Sequence, residues 1–125
     1  MTVDFDYAVR FAAEWCDAWN SHDLDRILAH YAEDVIFSSP FIVHLTGDPS
    51  GRVHGREALR AYWAEGLRRL PDLRFEVLDV KVSVHSLVIN YRNQTGDEVS
   101  EVLTLQDGLV VAGFGAYHGT ALFRI

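Results

Sequence analysis

Just past its middle the chain changes the spacing of its apolar residues. Up to about Leu70 they recur every three or four positions. Beyond that they alternate, in "LRFEVLDVKVSV", "SLVINYR", "EVSEVLTL" and "LVVAGFGAYH". A period near 3.6 marks helices with one apolar face, and a period of two marks strands with one buried face. The alternating runs are separated by "HS", "NQTGD" and "QDG", short polar connections of the kind that close hairpins. Helices in front and a hairpin meander behind predict an α+β domain, with helices packed on one face of a curved antiparallel sheet.

In the front half, residues 4–20 carry Phe11, Trp15 and Trp19 at intervals of four, with Ala8, Ala12 and Cys16 beside them. This is the stripe of an amphipathic helix, and "NSHD" ends it. A short second helix follows, with Ser21 or Asp23 as N-cap and Leu24, Ile27, Leu28 and Tyr31 on one face. "VIFSSP" reads as a strand that Pro40 interrupts or ends. "FIVHLTGDPSGRVHG" reads as its continuation, a turn, and a short return strand ending at Gly55. Residues 56–70 resume helical spacing through Leu59, Trp63, Leu67 and Leu70, giving three helices in all.

At 125 residues the chain is read as one domain over 1–125, long enough to bury about two thirds of its unfolded surface without a disulfide or metal staple. A net charge of −7, from 18 acidic residues against 11 Lys and Arg, argues against nucleic acid or an anionic membrane as partner. The arginines of "GREALRAYWAEGLRRLPDLR" lie among Glu57 and Glu65, and Glu65 precedes Arg69 by four as a helix-surface pair would. Cys16, the single cysteine, reads as a small buried hydrophobe. The N-terminus has no basic segment followed by an apolar one, and no apolar run nears 18 residues, so a cytoplasmic protein is expected.

One residue stands out of pattern. In "EVSEVLTLQDG" the alternation puts Glu101 on the face of Val99, Leu103 and Leu105. A buried carboxylate is costly unless paired or neutralised, and such positions are often functional. Either Glu101 enters a cavity, or the strand packs differently and Glu101 is exposed or paired to an arginine such as Arg92. Tyr91 shares parity with Leu87 and Ile89 on the neighbouring strand, as a hydroxyl donor to Glu101 or a ligand, or as an ordinary sheet aromatic. Ser39 shares parity with Val35 and Phe37, as a pocket contact or a turn residue before Pro40. Trp15, Trp19, Tyr31, Phe37, Trp63 and Leu103 complete the expected wall, whose aromatic character favours a flat or hydrophobic ligand.

The histidines show none of the spacings that mark a metal site, and no metal or cofactor is expected. His22 and His85 fall in turns and are expected in solvent, His44 and His54 could stand at a pocket mouth, and His118 is a further titratable candidate near the end of the last strand. The glycines of "GFGAYHG" read as bend or bulge positions.

The stretches "FAAEWCDAWNSHDLDRILAHYAEDVIFSSP" and "GREALRAYWAEGL", followed by the meander, resemble the nuclear transport factor 2-like superfamily and its SnoaL-like branch. The resemblance covers nearly the whole chain. It implies a cone-shaped, curved antiparallel sheet with the three helices on its concave face, a deep pocket between them, and a homodimer formed through the sheet. Its members include ketosteroid isomerases, polyketide cyclases, dehydratases, epoxide hydrolases and noncatalytic proteins. Aligned on Asn20, Asp34 and Pro40, the isomerase oxyanion-hole tyrosine falls on Trp15, the proton-shuttling aspartate on Ser39, and the neutral aspartic acid on Glu101. Two of the three differ, so steroid isomerisation as the family performs it is not expected. Two readings follow. One is a pocket protein for a small hydrophobic molecule with isomerase-, cyclase- or lyase-type acid-base chemistry, using Glu101 with Tyr91 or His118. The other is a noncatalytic dimeric accessory or ligand-binding domain. In either, the sheet face bearing Val88, Val102 and Val110 is the expected dimer contact.

Overall fold

The computed structural model describes residues 2–119. Its elements run α1 (Phe5–Ser21), α2 (Leu24–Leu28), β1 (Tyr31–Ser38), α3 (Pro40–Thr46), β2 (Arg52–His54), α4 (Arg56–Arg69), then β3 (Glu76–Val82), β4 (Ser86–Arg92), β5 (Glu98–Gln106) and β6 (Leu109–Tyr117). The strands form one curved, open sheet in the order β2-β1-β6-β5-β4-β3. The meander from β3 to β6 is antiparallel throughout, but β1 lies parallel to β6, so the sheet is mixed.

The sheet's inner face meets α1 and α4. From α1 come Ala8, Phe11, Ala12, Trp15, Ala18 and Trp19, and from α4 Leu59 and Trp63, packed over Val35, Phe37, Leu87, Ile89, Leu103 and Val110. The first helix starts where the Asp4 carboxylate accepts from the Tyr7 N–H at 2.8 Å, a side-chain N-cap. Asp23, one of the two candidate caps, starts α2 in the same way. On the exposed side of α4, Glu65 accepts from Arg69 at 2.8 Å and from Arg68 at 2.6 Å.

The end of α1 is fastened to the segment that enters β3. Asn20 accepts from the Phe75 N–H at 2.7 Å and donates to the Phe75 carbonyl at 2.9 Å, and the Cys16 thiol points to the same carbonyl. His22, expected in solvent, is half-buried, with Nε2 2.8 Å from the Leu73 carbonyl. A carbonyl only accepts, so that nitrogen carries the proton.

Three expectations are corrected here. Residues 40–46 form a helix and not a strand, so the described residues hold four helices. Ser39 is its N-cap, accepting from the Phe41 N–H at 3.2 Å, and Pro40 sits at its first position, where the missing N–H costs nothing. Val110 faces the core instead of the outer surface. The β5–β6 register shifts between Thr104 and Leu105, leaving Val111 as an extra residue, so the inward set of β6 is Val110, then Gly113 and Gly115. The bulge therefore lies outside "GFGAYHG". Gly113 and Gly115 are needed for space: a Cβ on Gly113 would meet Leu103 at 2.9 Å.

Candidate active site

Between the inner face of the sheet and the helices lies a cavity open at one end, with about 980 Å³ of empty space counted out to its mouth. Much of that space is open solvent, and the cavity volume proper is about 140 Å³. Strand alternation places Glu101 and Tyr91 in its wall from β5 and β4. Helix spacing brings Trp15 and Trp19 from α1 and Tyr62, Trp63 and Leu67 from α4, with Leu70 just past its end. Ser39 and Phe37 close the side toward β1, and the hairpin between β4 and β5 contributes Asn93, Gln94, Thr95 and Asp97 at the rim.

The rings form a continuous layer. Trp19 packs edge-on to Trp63 with centroids 4.9 Å apart, Trp15 stacks on Phe75 at 5.6 Å, and Phe75 lies 4.4 Å from Tyr91. The Trp15 indole N–H donates to the Tyr31 hydroxyl at 3.2 Å. Among the described residues the buried Trp19 indole N–H has no acceptor, and the Gln94 side-chain oxygen no donor. Leaving a buried polar group unpaired costs about 1–3 kcal/mol, so two such atoms in one cavity wall are unusual.

Glu101 sits in the middle of the sheet, paired with Ile89 on one side and Gly115 on the other. It is 5% exposed. A Cβ on Gly115 would stand 3.2 Å from its Oε1 and 3.1 Å from the Tyr117 ring, so glycine there leaves room for both side chains. Burial alone pushes the carboxyl up from 4.5 to about 8. Around it are four tyrosines. Tyr62 is pushed up to about 12, and Tyr31, Tyr91 and Tyr117 are raised further, in each case first by burial and then in part by repulsion from Glu101 or another hydroxyl. All four therefore remain hydroxyl donors at neutral pH. The hydroxyls of Tyr62 and Tyr117 interact with the Ser39 side chain, and Tyr117 also with Tyr91.

Of the ten residues expected at the site, seven line this cavity: Glu101, Tyr91, Trp15, Trp19, Phe37, Ser39 and Trp63. Three do not. Tyr31 is fully buried one layer back, behind Trp15, and Leu103 is fully buried beneath Gly113 and Phe37. His118 is exposed in a shallow depression on the outer sheet face with Asp79, Asn90 and Ser100, because it follows Tyr117 and the strand alternation turns it outward. His44 and His54 are exposed as well, and neither lines the cavity. The alternative pairing of Glu101 to Arg92 does not occur; Arg92 contacts Glu76 and Glu98 on the surface.

Tyr62, Tyr117, Phe41 and Phe75 line the site without having been singled out from the sequence. Tyr117 shares parity with Gly113 and Gly115 and was legible by alternation. Phe41 was hidden by reading 40–46 as a strand; on a helix, Phe41 and Leu45 are one turn apart and share the face toward the cavity. Among the described residues no group of His, Cys, Asp and Glu is arranged to hold a metal ion.

A carboxyl whose folded value lies above its unfolded value stabilises the fold most while neutral. That contribution is complete below about pH 4.5 and is lost as pH rises through about 8, at roughly 1.4 kcal/mol per pH unit. Glu101→Gln keeps the shape and removes the titration. Unfolding free energies should therefore diverge in favour of Glu101→Gln as pH rises from 5 to 8.5, and parallel curves would show that Glu101 is not held neutral.

The matches to known proteins agree with this architecture. A family model described as a SnoaL-like domain matches residues 12–113. No curated protein matches. A SnoaL-like protein of unknown function from Burkholderia thailandensis is 44% identical, over 95% of this chain and 100% of that one, with a TM-score of 0.91. TerC, crystallised with polyporic acid, is 14% identical over 94% of this chain and 95% of that one, with a TM-score of 0.77. A protein named as a candidate polyketide cyclase from Sinorhizobium meliloti is 15% identical over 86% and 94%, with a TM-score of 0.70. The last two share the fold alone. With the family model covering most of its length and a 44% identical relative aligned almost end to end, the chain belongs to the SnoaL-like domain family within the nuclear transport factor 2-like fold.

Proposed function

We propose that the cavity takes a flat, hydrophobic small molecule and that Glu101 moves a proton on it, in chemistry of the isomerase, cyclase or lyase kind. The observation that carries this is the position of Glu101: a single carboxyl, enclosed by rings and held near pH 8 by burial. At neutral pH it is mostly the acid and can donate to a ligand carbonyl oxygen. Its conjugate base, formed at that moment, is the group that takes back a proton from carbon or oxygen. Tyr91 and Tyr117, both held as hydroxyls, can share the developing charge on that oxygen. Ser39 serves as helix cap and hydroxyl relay partner, not as a base. The TerC complex with polyporic acid is compatible with a ring compound in such a fold.

Native mass spectrometry of the purified protein should reveal one retained small organic molecule per chain, which then serves as substrate candidate. With an identified substrate, Glu101→Gln should lower kcat by about 10²- to 10⁴-fold while binding survives, and wild-type kcat/KM should fall above about pH 8 as the acid is lost. A retained molecule that the wild type binds but does not turn over would favour the noncatalytic binding reading, and unchanged turnover in Glu101→Gln would remove Glu101 from the chemistry.

We also propose that a second copy of the chain covers the outer sheet face. Phe114 is 47% and Ile36 38% exposed there, beside half-buried Val88 and Val102, which is apolar surface in need of a partner. Sedimentation at micromolar concentration should give a dimer that Phe114→Glu dissociates. A monomer showing no concentration dependence would contradict it.

A further inference from the structure

The cavity wall is polar in two places, and only one of them is the Glu101 cluster. The second involves Trp19 and the β4–β5 hairpin. Trp15 and Trp19 are successive turns of one helix face, yet they differ in one respect: the Trp15 N–H is donated to Tyr31, while the Trp19 N–H, in a residue 7% exposed, has no acceptor among the described residues. Its ring is fixed by Trp63 at 4.9 Å and Phe75 at 5.7 Å, so it cannot readily turn to find one.

The β4–β5 hairpin shows the same contrast. Asn93 accepts from the Thr95 N–H and hydroxyl and from the Asp97 N–H at 2.8 to 3.1 Å, and Thr95 also reaches Asp97. The rim is thus tied in place by its own side chains. Gln94 in it has a buried side-chain oxygen with no donor among the described residues, and Gln94 also lines the cavity. Glu101 is three residues into β5 from Glu98, where the hairpin ends, so at 3.4 Å per residue it lies about 10 Å along the strand from the hairpin.

We propose that Trp19 and Gln94 form a second polar anchor, so that the natural ligand is an elongated flat molecule with oxygen functions at both ends. One end meets Glu101 and the tyrosines; the other accepts from the Trp19 N–H and donates to the Gln94 oxygen. This rests on the cavity being a site for aromatic ligands, and the choice of probes separates the two ideas. The unpaired atoms select for the second oxygen because a ligand lacking it leaves both groups buried and unsatisfied.

The test compares 2-naphthol, with one hydroxyl, and 2,6-dihydroxynaphthalene, with one at each end, by calorimetric titration. The second probe should bind at least about fivefold tighter, the effect of one added hydrogen bond. The Trp19 indole N–H resonance in a ¹⁵N-edited spectrum should shift with the second probe and not with the first. Trp19→Phe, with folding checked by thermal unfolding, should bring the ratio of the two dissociation constants close to one, whatever it does to the affinity for each probe alone. Gln94→Met, a rim substitution outside the helix–sheet core, should reduce the preference. Equal affinity of the two probes for the wild type would overturn the second anchor while leaving the aromatic site standing. So would a preference untouched by both substitutions. Binding of neither probe at millimolar concentration would overturn the aromatic site and the anchor together.

Discussion

A carboxyl group in the middle of an apolar row can be accommodated only if water is kept from it and its charge is given up. The structure around Glu101 follows from that constraint. Its strand is the third from the β3 edge and the fourth from the β2 edge, flanked by β4 and β6, so no sheet edge brings solvent to it. Below it the sheet's inner row is Ile89, Val99 and Leu103. Gly115 on the adjacent strand makes the space the carboxyl occupies. Above it the aromatic layer takes the place of solvent. Placing four tyrosine hydroxyls nearby supplies donors that do not add charge, which is the arrangement that lets a buried acid exchange protons with a ligand instead of with bulk water.

The aromatic layer depends on the fastening of α1. Trp15 and Trp19 can roof the cavity only if the C-terminal half of α1 lies flat against the β3 side of the sheet, and the double hydrogen bond between Asn20 and Phe75 sets that placement. The same contact positions the Phe75 ring, which stacks on Trp15 and touches Tyr91. One asparagine at the end of a helix thus links the entry to β3, the roof of the cavity and the neighbour of the candidate acid. At the other wall Ser39 has a similar double role, capping α3 and receiving Tyr62 and Tyr117.

Strand alternation made Glu101, Tyr91 and Phe37 legible from sequence, since β5 buries every second residue without interruption. Helix spacing did the same for Trp15, Trp19 and Trp63. Two things were not legible. Phe41-Ile42-Val43 are strand-favouring residues, and the helical cue in Ser39-Pro40, an N-cap followed by proline, is as readily read as a turn; tertiary packing of Ile42 and the cap decided for helix. The bulge at Val111 also left no local mark, since a one-residue slip exchanges the two faces of a strand. Alternation carried straight through β6 therefore puts Val110 on the outer face, where the structure has it in the core. The loss of His118 from the site has the same origin, because its face depends on the register of β6.

The central claim is that Glu101 is a neutral acid near physiological pH, and the most direct measurement is its titration by NMR. In protein labelled with ¹³C at the glutamate side-chain carboxyl, the resonance absent from Glu101→Gln identifies the group, and its shift is followed from pH 4 to 10. An inflection near 8 is predicted. An inflection between 4 and 5, alongside the surface glutamates, would mean that the carboxyl is hydrated and charged, and would contradict the account.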